Sequence, residues 1–224
     1  MRKRGYHTFK VMKLTKKPAK ERIMDTSLAM FEKHGYHGVT VDQIVEESGT
    51  SKGGFYHNFK SKDELLYEIH DVFITYVLDG AREAYSHHET PVGRLCALLL
   101  SFIKVFDLYK SHITVFYQES AYLKGEFKEE INNKRDEYRR IILQIIQEGQ
   151  ANGDFRKEVP AEIAAMSIIG MVNWTYKWFR KDGRFSIEEI GRIFNDLLIH
   201  SLVSEKGLQD SETQAYLLKS QPVQ

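Results

Sequence analysis

Apolar residues recur along the chain at three- and four-residue intervals, and the connectors between these runs carry glycine, proline or a capping side chain. That spacing puts them on one face of a helix; the every-second-residue alternation of a half-buried strand is not sustained in any stretch. Pro18 opens a first helix whose inner face holds Ile23, Ser27, Leu28 and Phe31, and Gly35 ends it. Thr40 and Gln43 have the spacing of a capping box and start a second helix, which buries Val41, Ile44 and Val45 and stops at Gly49. A short third helix runs from near Ser51 to about Asn58. Ser61 and Glu64 repeat the box spacing and open a fourth, about Lys62 to Asp79, with Leu65, Leu66, Ile69 and Phe73 inward. Further helices are predicted at about 91–109, 111–123, 125–151, 160–181 and 186–204. The fold class is all-α. Residues 18–63 form an N-terminal three-helix helix-turn-helix domain and residues 64–204 a larger helical body. A flexible basic arm, 1–17, and a polar, fraying tail, 205–224, flank them.

One stretch conflicts with helix propensity: SGTSKGGFYHNFKSK, residues 48–62, sets Gly53 and Gly54 side by side inside a helix. Each costs about 1 kcal/mol against alanine. A helix-turn-helix explains them, because its reading helix brings its N-terminus close to duplex DNA, where bare backbone N–H groups face phosphates. The remaining polar residues then acquire roles. Thr40 caps the second helix and offers its hydroxyl to a phosphate. Ser51 and Lys52 start the reading helix, Tyr56 and His57 stand one turn later, and Lys62 supplies a cation at the next helix start. Phe55 and Phe59 lock the short helix onto its neighbours.

From Ile23 to Leu66 the chain resembles the N-terminal domain of the TetR family of bacterial repressors. The shared pattern is Phe31, Gly35-Tyr36, Thr40, Ile44, Gly49, Ser51-Lys52-Gly53, Tyr56, Phe59, Lys62 and Leu65. Two positions depart from it: Gly54 stands where threonine is frequent, and Asn58 where tyrosine is. The resemblance implies a homodimer on a palindromic double-stranded operator, with a C-terminal helical domain that binds a small molecule and releases the DNA. It also implies a four-helix interface made by the last helix pair and its symmetry mate, to which Ile163, Ile187, Ile190, Phe194, Leu197 and Leu198 are assigned.

In the body, the apolar and aromatic positions Phe102, Phe106 and Phe116 are candidates for a ligand cavity as well as for plain core. Asn173, an amide amid apolar neighbours, needs a partner if buried. Trp174, Lys177 and Trp178 belong to an aromatic and basic cluster near a helix end, which suits either packing or an anionic ligand with an apolar tail. The stretch GMVNWTYKWFR is similar to ones in TetR-type regulators of fatty-acid degradation, which sense acyl-CoA. A cationic or aromatic drug-like effector, as in efflux repressors, is the alternative.

Charge and composition narrow the choice. Residues 1–62 carry 13 Lys/Arg against 6 Asp/Glu, and the remainder 19 against 25, so a basic head sits on an acidic body. Seven of the cations fall within residues 1–17, and motif geometry therefore carries the nucleic-acid reading. The arm itself is a candidate for minor-groove or phosphate contacts. No apolar run approaches the ~18 residues of a membrane span, and the single Cys96 fits a reducing, cytoplasmic compartment. The sequence contains no Gly-x-Ser-x-Gly elbow, phosphate loop or His-Glu-x-x-His, and neither His34 with His37 nor His87 with His88 has a third ligand at metal-binding spacing. The expectation is a regulator with a small-molecule effector and neither catalytic residues nor a metal. A protein–protein adaptor without DNA affinity is the rival class.

Overall fold

The computed structural model describes residues 17–218; the assignments made to the arm at 1–16 and to the last six residues lie outside the described residues. Twelve α-helices and one 3-10 turn account for the described architecture, with a single isolated antiparallel bridge between Phe155 and Val203. The head comprises α1 (Ala19–His34), α2 (Val41–Glu47) and α3 (Lys52–Asn58). The long α4 (Lys62–His87) leads from it into the body. There follow α5 (Pro91–Leu108), α6 (Lys110–Glu119), the 3-10 turn Ser120–Tyr122, α7 (Gly125–Asn152), α8 (Ala161–Asn173), α9 (Thr175–Trp178), α10 (Ile187–Leu202), α11 (Glu205–Leu208) and α12 (Ser211–Tyr216).

Local chemistry sets the helix ends where the sequence places them. Thr40 and Gln43 form the reciprocal capping box, Ser51 accepts from the Gly54 N–H, and Ser61 accepts from the Glu64 N–H. Gly35 ends α1 at φ 72°, in the left-handed region where a side chain would be strained. Ile23, Phe31, Ile44, Phe55, Phe59, Leu65 and Leu66 are buried at the head end of one hydrophobic core that continues into the body.

The body departs from the sequence pattern in four places. First, α4 runs to His87, two turns past the expected end; as the sequence pattern has it, the helix starts at Lys62, so head and body share it. Gly80 lies within it: a Cβ there would collide with Ser101, so the glycine lets α5 approach. Second, the 111–123 helix tightens after Glu119 into the 3-10 turn. Third, the expected helix over 160–181 divides at Trp174, where Lys177 N–H bonds the Trp174 carbonyl only three residues back. This turn brings Tyr176 flat against Tyr117, ring centroids 4.6 Å apart, and buries Thr175 and Phe179. Fourth, residues 205–218 are not a fraying tail. Ser204 and Asp210 cap α11 and α12, Gly207 fits against the Asp154 carbonyl where no Cβ would, and Thr213 is buried.

Candidate nucleic-acid interface and effector chamber

The candidate reading surface is built from the α2–α3 turn outward. Gly49, at φ 60°, makes the turn, and Arg22 from α1 donates to its carbonyl at 3.2 Å. Phe55 and Phe59 anchor α3 from beneath, which leaves Ser51, Lys52, Gly53, Tyr56 and His57 exposed on its outer side. Thr40 is exposed at the start of α2. A Cβ on Gly53 would find its nearest neighbour 3.9 Å away, the Ser51 hydroxyl, and its φ is not positive. Nothing inside the protein therefore requires glycine there. At Gly54 the same Cβ would lie 3.3 Å from the Ser51 Oγ, and its N–H is engaged by that cap, so only the glycine before it keeps the bare-backbone role. Lys52 pairs with Asp42 at 2.8 Å, both ends well exposed. Asn58 donates its amide to the Gly54 carbonyl at 2.7 Å and stiffens the helix instead of facing outward.

Lys62 is placed differently from the other cations. Its Nζ donates to the Tyr36 and Val39 carbonyls at 2.9 and 2.7 Å and lies 4.1 Å from the centre of the Tyr36 ring. Burial lowers its pKa from the ordinary lysine value. Two of its three donors thus hold the α1–α2 turn, with one left for any phosphate.

The same turn bolts head to body. Tyr36 is buried; its N–H donates to the Glu119 carboxylate at 3.2 Å and its hydroxyl to Asp63. Its ring lies over Tyr122, centroids 5.8 Å apart. Burial first, and then the bond to Asp63, raise the Tyr36 pKa, so the hydroxyl stays a donor. Glu119 is itself buried at the end of α6, one residue before Ser120, which faces the body's cavity. Polar bridges tie α4 to α7 along its length: Lys134 to Asp71 at 2.5 Å, Arg82 to Glu137 at 2.7 Å, and Tyr85 to Glu148 at 2.6 Å.

That cavity, about 420 Å³, lies between α4, α5, α6, α7 and α8. Phe73, Ile74 and Val77 of α4 form one wall, and Phe102, Phe116 and Ile169 form much of the rest. Its polar lining includes Tyr117, Arg135, Tyr138 and Asn173, with exposed Asp136, Arg139 and Met166 at the rim. Asp136 is paired with Arg139 at 3.2 Å. Arg135 stacks its guanidinium 4.3 Å from the Phe116 ring centre, and among the described residues it has no carboxylate within ion-pair distance. Burial lowers its pKa. The Tyr138 hydroxyl is fully buried with no hydrogen-bond partner.

Of the residues expected to touch a ligand, Phe102, Phe116 and Asn173 line the chamber together. Phe106 does not; it is core, facing a narrow crevice with Tyr176 and Phe179. Trp174, Lys177 and Trp178 stand exposed outside the chamber wall, because the break after Asn173 turns them to the surface. Of the expected interface residues, Ile187, Ile190 and Leu198 are buried within this chain, where α10 packs on α5. Leu197 and Ile163 are more than half exposed, and Phe194 is partly so. Arg135, Tyr117, Tyr138 and the Tyr36–Glu119 contact were not singled out from sequence. For Arg135 a signal exists: it falls on the buried stripe Ile131, Tyr138, Ile142, Ile145 at helical spacing.

An exposed reading helix joined through α4 to an apolar chamber matches known proteins along most of the chain. Residues 23–69 match the family model of the bacterial regulatory proteins of the tetR family, and residues 88–202 match the tetracyclin repressor-like C-terminal domain. The chain belongs to the TetR family. It is a ligand-responsive, DNA-binding transcriptional regulator that meets its operator as a dimer. The transcriptional repressor KstR2 of Mycolicibacterium smegmatis is 22% identical over 190 residues, 84% of this chain and 92% of that protein. The structure of the ketosteroid transcriptional regulator KstR2 of Mycobacterium tuberculosis superposes with TM-score 0.77 at 19% identity, covering 83% of this chain and 95% of that one. AibR, crystallised with isovaleryl coenzyme A and operator DNA, gives TM-score 0.71 at 25% identity over 80% of this chain and 97% of that one. No helix among the described residues is long and apolar enough to cross a membrane.

Proposed function

We propose that this TetR-family protein is a cytoplasmic repressor that an acyl-CoA releases from its operator. It acts by binding alone, without a catalytic step. Residues 18–63 read the DNA, with Gly53 and the Lys52, Tyr56 and His57 side chains against the duplex and Thr40, Ser51 and the free donor of Lys62 toward phosphates. Residues 64–204 hold the effector and the two-fold interface, the latter through the outward faces of α8 and α10 that carry Ile163, Phe194 and Leu197.

One observation carries the choice of effector: the chamber is apolar, its interior charge is the Arg135 guanidinium, and its one lining carboxylate, Asp136, is already paired with Arg139. A cationic drug-like ligand would meet like charge with no free anion to offset it, whereas an acyl chain attached to an anionic carrier suits both features. The likeness to AibR, crystallised with isovaleryl coenzyme A, supports the same class. Effector in the chamber presses on the α4 wall and on α6, whose Glu119 holds the head through Tyr36, and so changes the spacing of the two reading helices.

Fluorescence anisotropy of a duplex selected from random sequence tests this. Octanoyl-CoA should weaken its binding to the full chain by about tenfold or more, while octyltrimethylammonium leaves it unchanged. Release by the ammonium ion alone would overturn the reading in favour of a drug-sensing repressor.

A further inference from the structure

Arg135 poses a specific question within the chamber. Arg135 is half-buried, and a guanidinium partly withdrawn from water normally gains a carboxylate partner; this one has none within ion-pair distance among the described residues, although acidic side chains abound on the surface of the same helix. Its neighbour Asp136 turns outward to Arg139. Its flat face rests on Phe116, so its N–H fork remains available toward the cavity both residues line. Tyr138 stands three residues on, on the same face of α7, with a fully buried hydroxyl lacking any partner. Tyr117, next to Phe116 in sequence, lines the same space, and its ring is fixed by Tyr176 at 4.6 Å. A buried hydroxyl without a partner costs free energy, as does an uncompensated cation, and both are found in one cavity.

We propose that Arg135, with the hydroxyls of Tyr138 and Tyr117, is an anion-reading end of the chamber that binds an anionic oxygen of the effector. The apolar body of the effector then lies along Phe73, Val77 and Phe102. The inference deepens, and rests on, the acyl-CoA reading above. The anionic oxygen comes either from a phosphate of the coenzyme or from a carboxylate carried by the acyl body, and the two sources separate experimentally.

Tryptophan-fluorescence or calorimetric titration of the full-length protein provides the test. The probes are octanoyl-CoA, octanoate, octanoyl-pantetheine, which is uncharged, and suberyl-pantetheine, whose only anion is a terminal carboxylate. Arg135→Gln should weaken the anionic probes by about tenfold to a hundredfold and leave octanoyl-pantetheine within about threefold. Arg135→Lys should recover part of the loss, since charge returns without the fork. Loss confined to octanoyl-CoA assigns the phosphate; loss for suberyl-pantetheine assigns the carboxylate. Tyr138→Phe should make the unliganded protein more heat-stable while weakening the anionic probe, a pair of effects that plain packing does not produce. Equal affinity of wild type and Arg135→Gln for every anionic probe that binds overturns the proposal, as does binding of the uncharged probe alone. Arg135-dependent binding of octanoate without any binding of octanoyl-CoA upholds the arginine's role and overturns the acyl-CoA reading. Arg135-independent binding and release by octanoyl-CoA do the reverse.

Discussion

The reading surface and the chamber both leave polar groups without work inside the folded chain, yet they do so in opposite settings. On α3 the idle groups are exposed, contiguous in sequence and carried on a helix weakened by glycine. In the chamber they are half-buried or, for Tyr138, fully buried, drawn from α6, α7 and α8 and set among aromatic rings. Water solvates the first set at little cost, so that surface can wait for a partner in a stable form. The second set carries a desolvation cost, largest at the Tyr138 hydroxyl, and on the proposed function a matching ligand offsets it. On the proposed function the contrast is that of a docking face and a sensing cavity, with α4 running from one to the other.

The sharpest way to break this contrast is to fill the space above Gly53. With nothing nearer than 3.9 Å to an added Cβ, Gly53→Leu should leave the fold intact. It should nevertheless abolish specific operator binding, a loss of at least about a thousandfold that leaves only the salt-sensitive background. Gly53→Ala should raise the melting temperature by a few degrees through helix propensity while still weakening the operator complex. A drop in thermal stability in either variant would mean that the glycine serves packing, and the docking face would lose its main support.

The shared helix gives the next largest effect. His70 of α4 is completely buried beside Phe116, its Nδ1 2.9 Å from the Leu66 carbonyl and its Nε2 without a partner. Burial, the dominant cause, lowers its pKa from 6.5 to about 4. Between those values the unfolded chain binds a proton that the folded chain refuses, so stability is complete above about pH 6.5 and is lost as the pH falls toward 4. The loss amounts to about 3 kcal/mol, and His70→Phe should flatten it in denaturant titrations across this range. An unchanged slope would show that His70 is not the group responsible.

A smaller effect is expected where head and body meet. Glu119→Gln and Tyr36→Phe each alter the contact that holds the α1–α2 turn to α6 and α4. Effector affinity should stay within about threefold, while the factor by which effector weakens DNA binding should fall by about tenfold. Paired titrations with and without operator would separate this from a general loss of stability, in which both affinities decline together.

The two regions also differed in how much of them the sequence disclosed. The head was legible because its signals are local: the Thr40 and Ser61 caps, the Gly35 and Gly49 stops and the paired glycines lie in order along some thirty residues and act on their immediate neighbours. The chamber was legible only as composition. Phe102, Phe116 and Asn173 were picked out as residue types, but Trp174 and Trp178 left the set because α8 ends at Asn173, with Tyr176 stacked on Tyr117 beyond it, a tertiary arrangement with no local signature. The inner face of α10 was likewise assigned to a partner copy, although α5 of the same chain takes Ile187, Ile190 and Leu198. Helical periodicity alone names a buried face without naming what covers it. Arg135 marks the reverse case: its place on the apolar stripe of α7 was readable from helical spacing, but nothing local to the sequence tells that a charged residue there faces a cavity.

The most direct measurement of the central claim, that docking face and chamber are one coupled switch, is a reciprocal titration of the full-length dimer. Operator affinity is measured with and without saturating octanoyl-CoA, and octanoyl-CoA affinity with and without saturating operator. The weakening factor should be the same in both directions, about five- to a hundredfold, and should collapse in Glu119→Gln. Operator affinity that stays constant as the chamber fills would contradict it.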